Sequence, residues 1–377
     1  MKILFCGTVV PESIEYQVKD ISAAGNRFQN NMVCNLKTLG HEVETVSYVA
    51  MEIPKVLKDM LLEKDSFNDS SGAKSHYIFR QNGGFKDTLL AVKKCKEIVR
   101  NLISKYDLVL CYNVFYSFFF IPELAKRFQK KNILILADYS GPESYHSIKN
   151  KIYARMQMQI MRQYNKVIGL SANIQKKLKP GQKFLLMEGG IDENFYNQFA
   201  EKSSQNEGKV IFMYSGLLSK VTGVDILLHA VLEMKEKSFE LRISGKGDLE
   251  QQVCDAAEND ERICYLGHME YDEYIENLKK VDVLINPRNM ELPENQNNFP
   301  SKIMDYLATG KAILSSKFIG WKKFEEGIIF YDNTDMLKHE MENFISGQYV
   351  REDIYEKNRQ MASDYLWKNQ LKRILGD

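Results

Sequence analysis

A serine, a lysine and an aspartate crowd the start of one short helix in "NNFPSKIMDYLATGKAILSS", Asn297–Ser316. Pro300 suits the first helical turn, where its missing N–H costs nothing, and Gly310 suits the stop. Ile303, Met304 and Leu307 recur at helical spacing. The start of such a helix presents unpaired N–H groups and a positive dipole end. The amides around Phe299–Lys302 and the Lys302 ammonium therefore suit an anion such as a phosphate, with Asn298 and Ser301 in the same stretch. "SGKGD" (Ser244–Asp248) follows a strand and opens a helix. Gly245 and Gly247 there either let the backbone approach a nucleotide or simply make a tight turn.

A second group lies in the first half. Gly25, Asn26 and Arg27 stand between the first strand and a helix, Asn113 ends a later strand, and Asp138 and Tyr139 end "LILADY". Strand ends of a parallel sheet are where binding and catalytic groups gather. Asp138 reads as a group orienting an acceptor hydroxyl or as a cap on "SGPES"; Arg27 reads as a ligand contact or as a plain helix-face charge. Asp-x-Asp does not occur, and no His/Cys/Asp/Glu grouping has metal-ligand spacing. No metal is expected. The dinucleotide fingerprint of nicotinamide enzymes is also missing.

These residues need a scaffold. "KILFCG", "HEVETVSYV", "YDLVLCYN", "NILILADY", "KVIGLS" and "KFLLMEGG" read as buried strands, and "NRFQNNMVCNLKTLG" as a helix ended by Gly40. The rhythm restarts at "KVIFMYSG" and runs through "FELRISGKGD", "RICYLGHM" and "VDVLINPR". Alternating strands and helices imply parallel sheets covered on both faces. Glu52–Asp87 is turn-rich and reads as a long surface insertion. Asn197–Lys209 is polar and reads as a linker. The expected domains are 1–200 and 201–354, followed by terminal helices over 355–377.

Bulk properties agree. The chain has 377 residues, 44% hydrophobic and 27% charged, and this length suits two cores. A net charge of +1 gives no global signal for nucleic acid or an anionic membrane, and no nucleic-acid partner is expected. Six dispersed cysteines without a CxxC pair read as reduced core thiols of a cytoplasmic protein. The greasiest stretch, Leu108–Ala125, carries Asn113, Ser117 and Pro122 and is no membrane span. "SIKNKIYARMQMQIMRQY" places Ile148, Ile152, Met156 and Ile160 at helical spacing among Lys149, Lys151, Arg155 and Arg162. That pattern suits either ordinary packing or peripheral contact with a membrane.

"YSGLLSKVTGVDILLHAV", "LRISGKGD", "ICYLGHMEYDEY", "VDVLINPR" and "FPSKIMDYLATGKAILSS" follow one another in an order that resembles the donor domain of retaining GT-B nucleotide-sugar glycosyltransferases. "LLMEGGIDENFY" is similar to the family's domain link, and "SAAGNRFQNN" and "LGHEVETVS" to its acceptor domain. The Phe-Pro-Ser-Lys form looks like a branch building bacterial surface polysaccharides. The resemblance implies two facing Rossmann-like, doubly wound domains with a cleft between them. It also implies a nucleotide-diphosphate sugar as co-substrate (UDP or GDP), a glycan or lipid-linked acceptor, and no cofactor. The terminal helices would return to the first domain.

By the same resemblance Asn297 and Asp305 take the places of the family's paired donor-site glutamates, and His268 ends a strand whose backbone would read the base. Gly216 would be the strand-end glycine facing the donor. Leu217 and Thr222 stand where the family has a basic diphosphate clamp, leaving Lys220 and Lys302 to replace it. A same-fold 2-epimerase and a catalytically silent sugar-nucleotide-binding subunit are the rival readings.

Overall fold

The computed structural model describes all residues except 20, 51–52, 64–71, 81–84, 138, 202–207, 297 and 377. Short, β-rich apolar runs form parallel strands, and the amphipathic segments between them form the crossover helices. The chain divides into two compact units, Met1–Gly190 with Trp367–Asp377, and Ile191–Leu366.

The first unit carries β1 (Lys2–Gly7), β2 (Glu42–Val49), β3 (Lys74–Phe79), β4 (Leu108–Tyr112), β5 (Lys131–Leu136), β6 (Lys166–Gly169) and β7 (Lys183–Leu186). Its helices are α1 (Ala23–Thr38), α2 (Lys55–Glu63), α3 (Phe85–Leu102), α4 (Ile121–Arg127) and α5 (Ile148–Met161). The sheet order is β3-β2-β1-β4-β5-β6-β7, with every pair parallel. The order reverses between β1 and β4, and right-handed crossovers place α3, α4 and α5 on one face. That face is filled by Cys95 and Val99 from α3, Ile121 and Leu124 from α4, and Met161 from α5. Met32 and Leu36 bury the inner side of α1, and Gly40 (φ 83°) ends the turn after it.

The region expected to be an insertion needs correction. Within Glu52–Asp87 lie α2 and the edge strand β3, which pairs with β2 from Lys74↔Glu44 to Phe79↔Val49. "KSHYIF" is a short strand whose turn-rich flanks hid it. Residues 64–71 and 81–84 of this stretch lie outside the described residues.

The second unit holds α6 (Glu193–Asn197), β8 (Val210–Ser215), α7 (Val224–Glu233), β9 (Phe239–Ser244), α8 (Glu250–Asn259), β10 (Ile263–Tyr265), α9 (Tyr271–Lys280) and β11 (Val283–Asn286). It continues with α10 (Lys302–Thr309), β12 (Ala312–Ser316), β13 (Ile328–Tyr331), α11 (Thr334–Ile345) and α12 (Arg351–Asp364). Its order, β10-β9-β8-β11-β12-β13, reverses between β8 and β11. Phe212, Leu227, Phe239, Val253 and Leu337 fill one face.

The terminal helices separate. α12 stays with the second unit, and α13 (Trp367–Leu375) belongs to the first. There the indole of Trp367, 1% exposed, meets Phe28 edge-on at 4.9 Å and lies against Gly190, where any Cβ would collide with it. The boundaries therefore fall at Gly190/Ile191 and Leu366/Trp367, against the expected 200 and 354. Of the expected linker, residues 202–207 lie outside the described residues.

Candidate functional site

In open parallel sheets ligands bind beyond the carboxyl ends of the strands, where the order reverses. In the second unit that point is flanked by the segments following β8 and β11. The ladder continues past three strand ends through glycines: Gly216 N–H donates to Ser244 O (2.9 Å) and Gly245 N–H to Gly267 O (2.8 Å). Gly216 has φ 143° and Gly245 φ 137°, conformations that L side chains rarely adopt. A Cβ at Gly245 would also strike the Gly216 carbonyl, and one at Gly216 would strike Lys302 Nζ and Cε. The glycines leave bare backbone along this edge, and Lys302 lies directly over it.

Lys302 extends from the first turn of α10, and its ammonium sits 3.9 Å from the centre of the Tyr214 ring. Burial lowers its pKa to about 7, and the charge of Arg288 pushes in the same direction; Asp305, one turn further along α10, opposes them. Tyr214 donates its hydroxyl to Leu217 O (2.7 Å), holding the ring under the ammonium. Lys302 therefore lies over a glycine-lined edge within the field of a second cation, Arg288, an arrangement that favours a multiply charged anion.

Arg288 was not singled out in the sequence. It follows β11 by two positions, its Nε donates to Asn295 Oδ1 (2.5 Å), and its carbonyl accepts from Ser316 Oγ (2.7 Å). Fully buried Asn295 donates to Val221 O (2.8 Å) and Asn289 O (2.6 Å), so it ties the loop after β8 to the loop after β11. The available signal was a cation just past the strand neighbouring β8 across the reversal.

The other donor-side residues take varied positions. Phe299 is 6% exposed and packs on Phe318 (5.1 Å) and Phe324 (5.7 Å), so its side chain belongs to an aromatic cluster. Ser301 is exposed and makes no side-chain cap. Ile303 and Met304 amides bond the Pro300 and Ser301 carbonyls, so any amide offered to an anion precedes Ile303. Asn298 and Asp305 are partly exposed, while Lys220 and His268 are exposed. Gly247 (φ 156°) leaves room for the Leu218 backbone, and Leu218 N–H donates to Lys246 O (2.9 Å). Thr222 Oγ1 lies 2.6 Å from Leu217 O and 2.9 Å from Ser219 O, within its own loop, and Leu217 is 59% exposed. Asn297 lies outside the described residues.

In the first unit, Asn26 is buried, accepting from Val10 N–H (2.9 Å) and donating to Glu15 (2.6 Å); it holds the loop after β1. Gly25 N–H donates to Ser22 Oγ (3.1 Å) at the start of α1. Arg27 is exposed on that helix. Asn113, at φ 54°, accepts from Ala137 N–H (2.8 Å) and so joins the ends of β4 and β5. Tyr139 is buried, which raises its phenol pKa. Asp138 lies outside the described residues. Asn26, Asn113 and Tyr139 thus shape the carboxyl edge. Among the described residues no His/Cys/Asp/Glu group could hold a metal ion.

The low Lys302 pKa has a measurable consequence. At pH 8 its amine is mostly neutral in the free protein, and a bound diphosphate would raise its pKa, so binding should take up close to one proton. Titration calorimetry in two buffers of different ionisation enthalpy should give heats that differ accordingly. Buffer-independent heats at pH 8 would show that the ammonium does not meet the anion.

Two parallel, doubly wound units of this order define the GT-B fold, and solved structures similar to this one share it. A structure of Anabaena Alr3699/HepE in complex with UDP is 15% identical with a TM-score of 0.70, covering 100% of both chains. The lipopolysaccharide outer core galactosyltransferase WaaB is 14% identical with a TM-score of 0.68, over 100% of this chain and 99% of that one. A sucrose-phosphate synthase from Thermosynechococcus elongatus is 11% identical with a TM-score of 0.71, over 100% and 99%. No curated protein matches in sequence. Residues 196–361 match the family described as glycosyl transferases group 1. The match falls within the second unit, and the protein is a glycosyltransferase enzyme of GT-B fold.

Proposed function

We propose that the protein moves a sugar from a nucleotide-diphosphate sugar to a glycan or lipid-linked acceptor, with retention of configuration and in bacterial polysaccharide or glycoconjugate synthesis. The observation that carries this reading is Lys302 over the bare backbone of Gly216 at the strand-order reversal, within the region that matches the group 1 family. Structures of similar fold in complex with UDP and with UDP-glucose support a uridine nucleotide as donor. Bond breaking leaves negative charge on the departing diphosphate, and two preplaced cations stabilise it as it develops. Asp305 would accept from a ribose hydroxyl, and Asp138 would orient the acceptor hydroxyl. The site of action is the cytoplasmic face of a membrane.

The reading requires no metal, since the cations of the chain balance the leaving group. Thermal-shift screening with UDP-, GDP-, ADP- and CMP-sugars should single out one nucleotide, a donor at 100 times its Kd adding ~2.7 kcal/mol of apparent stability. With that donor, transfer should survive EDTA. Turnover abolished by EDTA and restored by Mn²⁺ would overturn the metal-free clamp, and isomerised donor without acceptor would establish the epimerase instead.

A further inference from the structure

Helix α5 turns its apolar ridge away from the core. Ile148 is 77%, Ile152 52% and Met156 50% exposed, spaced one turn apart, whereas Ala154 and Met161 are the buried positions. This corrects the reading of Ile148, Ile152 and Met156 as a packing face. Beside the ridge Phe119, Gln159 and Ile160 line a shallow apolar groove with Arg155 at its margin. Lys149, Lys151, Arg155 and Arg162 accompany the ridge, and Ile148–Arg162 contains no acidic residue.

The same face of the first unit continues the pattern. Phe119 stacks on Tyr153 of α5 (6.0 Å), and the preceding turn, Tyr116–Phe118, packs on α3. Helix α3 exposes Leu89 (52%) and Leu90 (63%) near its start, with Lys86, Lys93 and Lys94 exposed around them and Asp87 partly covered. Helices of a parallel α/β sheet run against the strands, so the starts of α3 and α5 lie at the same carboxyl edge. Exposed apolar side chains ringed by cations match an anionic lipid interface, where alkyl groups enter the acyl boundary and ammonium groups meet phosphates.

We propose that the α5 ridge, with the start of α3, docks this protein on an anionic phospholipid bilayer. The occupant is a bilayer surface because the ridge combines insertable side chains with uncompensated positive charge; no described helix is long and apolar enough to cross a membrane. The proposal stands apart from the donor reading, since it concerns the first unit and is read without turnover.

The test is co-sedimentation of the full chain with vesicles of 30% phosphatidylserine in phosphatidylcholine, and of phosphatidylcholine alone, at low and high salt. Binding should appear on the anionic vesicles, fall in high salt and be weak on neutral ones. Lys149→Gln/Lys151→Gln/Arg155→Gln should lower partitioning by about fivefold per cation removed. Ile152→Ser/Met156→Ser should lower it about tenfold or more. Both variants alter exposed positions, apart from partly exposed Lys151, and neither touches the core, so their melting should match the parent. No binding to anionic vesicles at low salt would overturn the proposal. Full binding by Ile152→Ser/Met156→Ser would leave a purely electrostatic contact and also overturn it. Self-association of the parent that this variant abolishes would assign the ridge to a second copy instead.

Discussion

Lys302→Met should bind UDP about 10- to 150-fold more weakly than the parent, while binding of uridine hardly changes. The range is that of one charge-assisted hydrogen bond, ~1.5–3 kcal/mol. Methionine keeps an unbranched stem over Gly216 and Tyr214, so packing is largely retained while the charge disappears. Uridine lacks the phosphates and supplies the internal control. The comparison belongs near pH 6.5, where most of the ammonium is charged, since its pKa lies at about 7. Diphosphate affinity within twofold of the parent would remove Lys302 from the site. The loss should shrink in the parent's own titration as pH rises to 9, where the amine is neutral before binding and protonating it costs affinity.

The second large effect is on stability. Arg262 is 7% exposed and reaches three carbonyls at the end of α7: Val231 (2.9 Å), Met234 (2.7 Å) and Glu236 (2.9 Å). Its Nη2 also pairs with Asp260 (2.6 Å). Arg262→Met strands those carbonyls and that carboxylate together. Breaking such a buried pair costs ~3–5 kcal/mol, and the low end applies because Asp260 keeps some exposure. The transition of the second unit should fall by about 6–12 °C. Arg262 holds the Asp260 carboxyl below its ordinary range, so the pair contributes above that range and fades as pH drops through the lowered value. The gap between parent and variant should therefore narrow in acid by the share owed to Asp260, while the share owed to the three carbonyls stays. An unchanged melting temperature at pH 7 would show that water replaces the guanidinium.

The sheets were legible because parallel strands buried on both faces read as unbroken apolar runs. So were the glycine turns, since only glycine adopts φ near 140° at Gly216 and Gly245. Lys302 was legible from its place at a helix start. Arg288 was not, because its role depends on β11 lying beside β8, a pairing between segments distant in sequence. Side-chain partners were equally illegible: Phe299, read for its backbone amide, packs its ring on Phe318 and Phe324, and buried Asn26 spends its amide on Val10 and Glu15. Type and position gave no way to tell a ligand-facing polar group from one that holds its own loop.

The split between α12 and α13 bears on how the protein is made. The first unit is discontinuous, and Trp367, which fills the space between Phe28 and Gly190, is encoded after the whole of the second unit. Domains generally fold during synthesis in the order in which they leave the ribosome. Here the N-terminal sheet can form early, but a large aromatic cavity remains in it until the second unit has been translated. The nascent chain must therefore carry an unfinished first core through most of its synthesis, and the last helix closes it. A chain truncated just before Trp367 would hold the whole second unit and a first unit that still lacks the helix packed on Phe28 and Gly190.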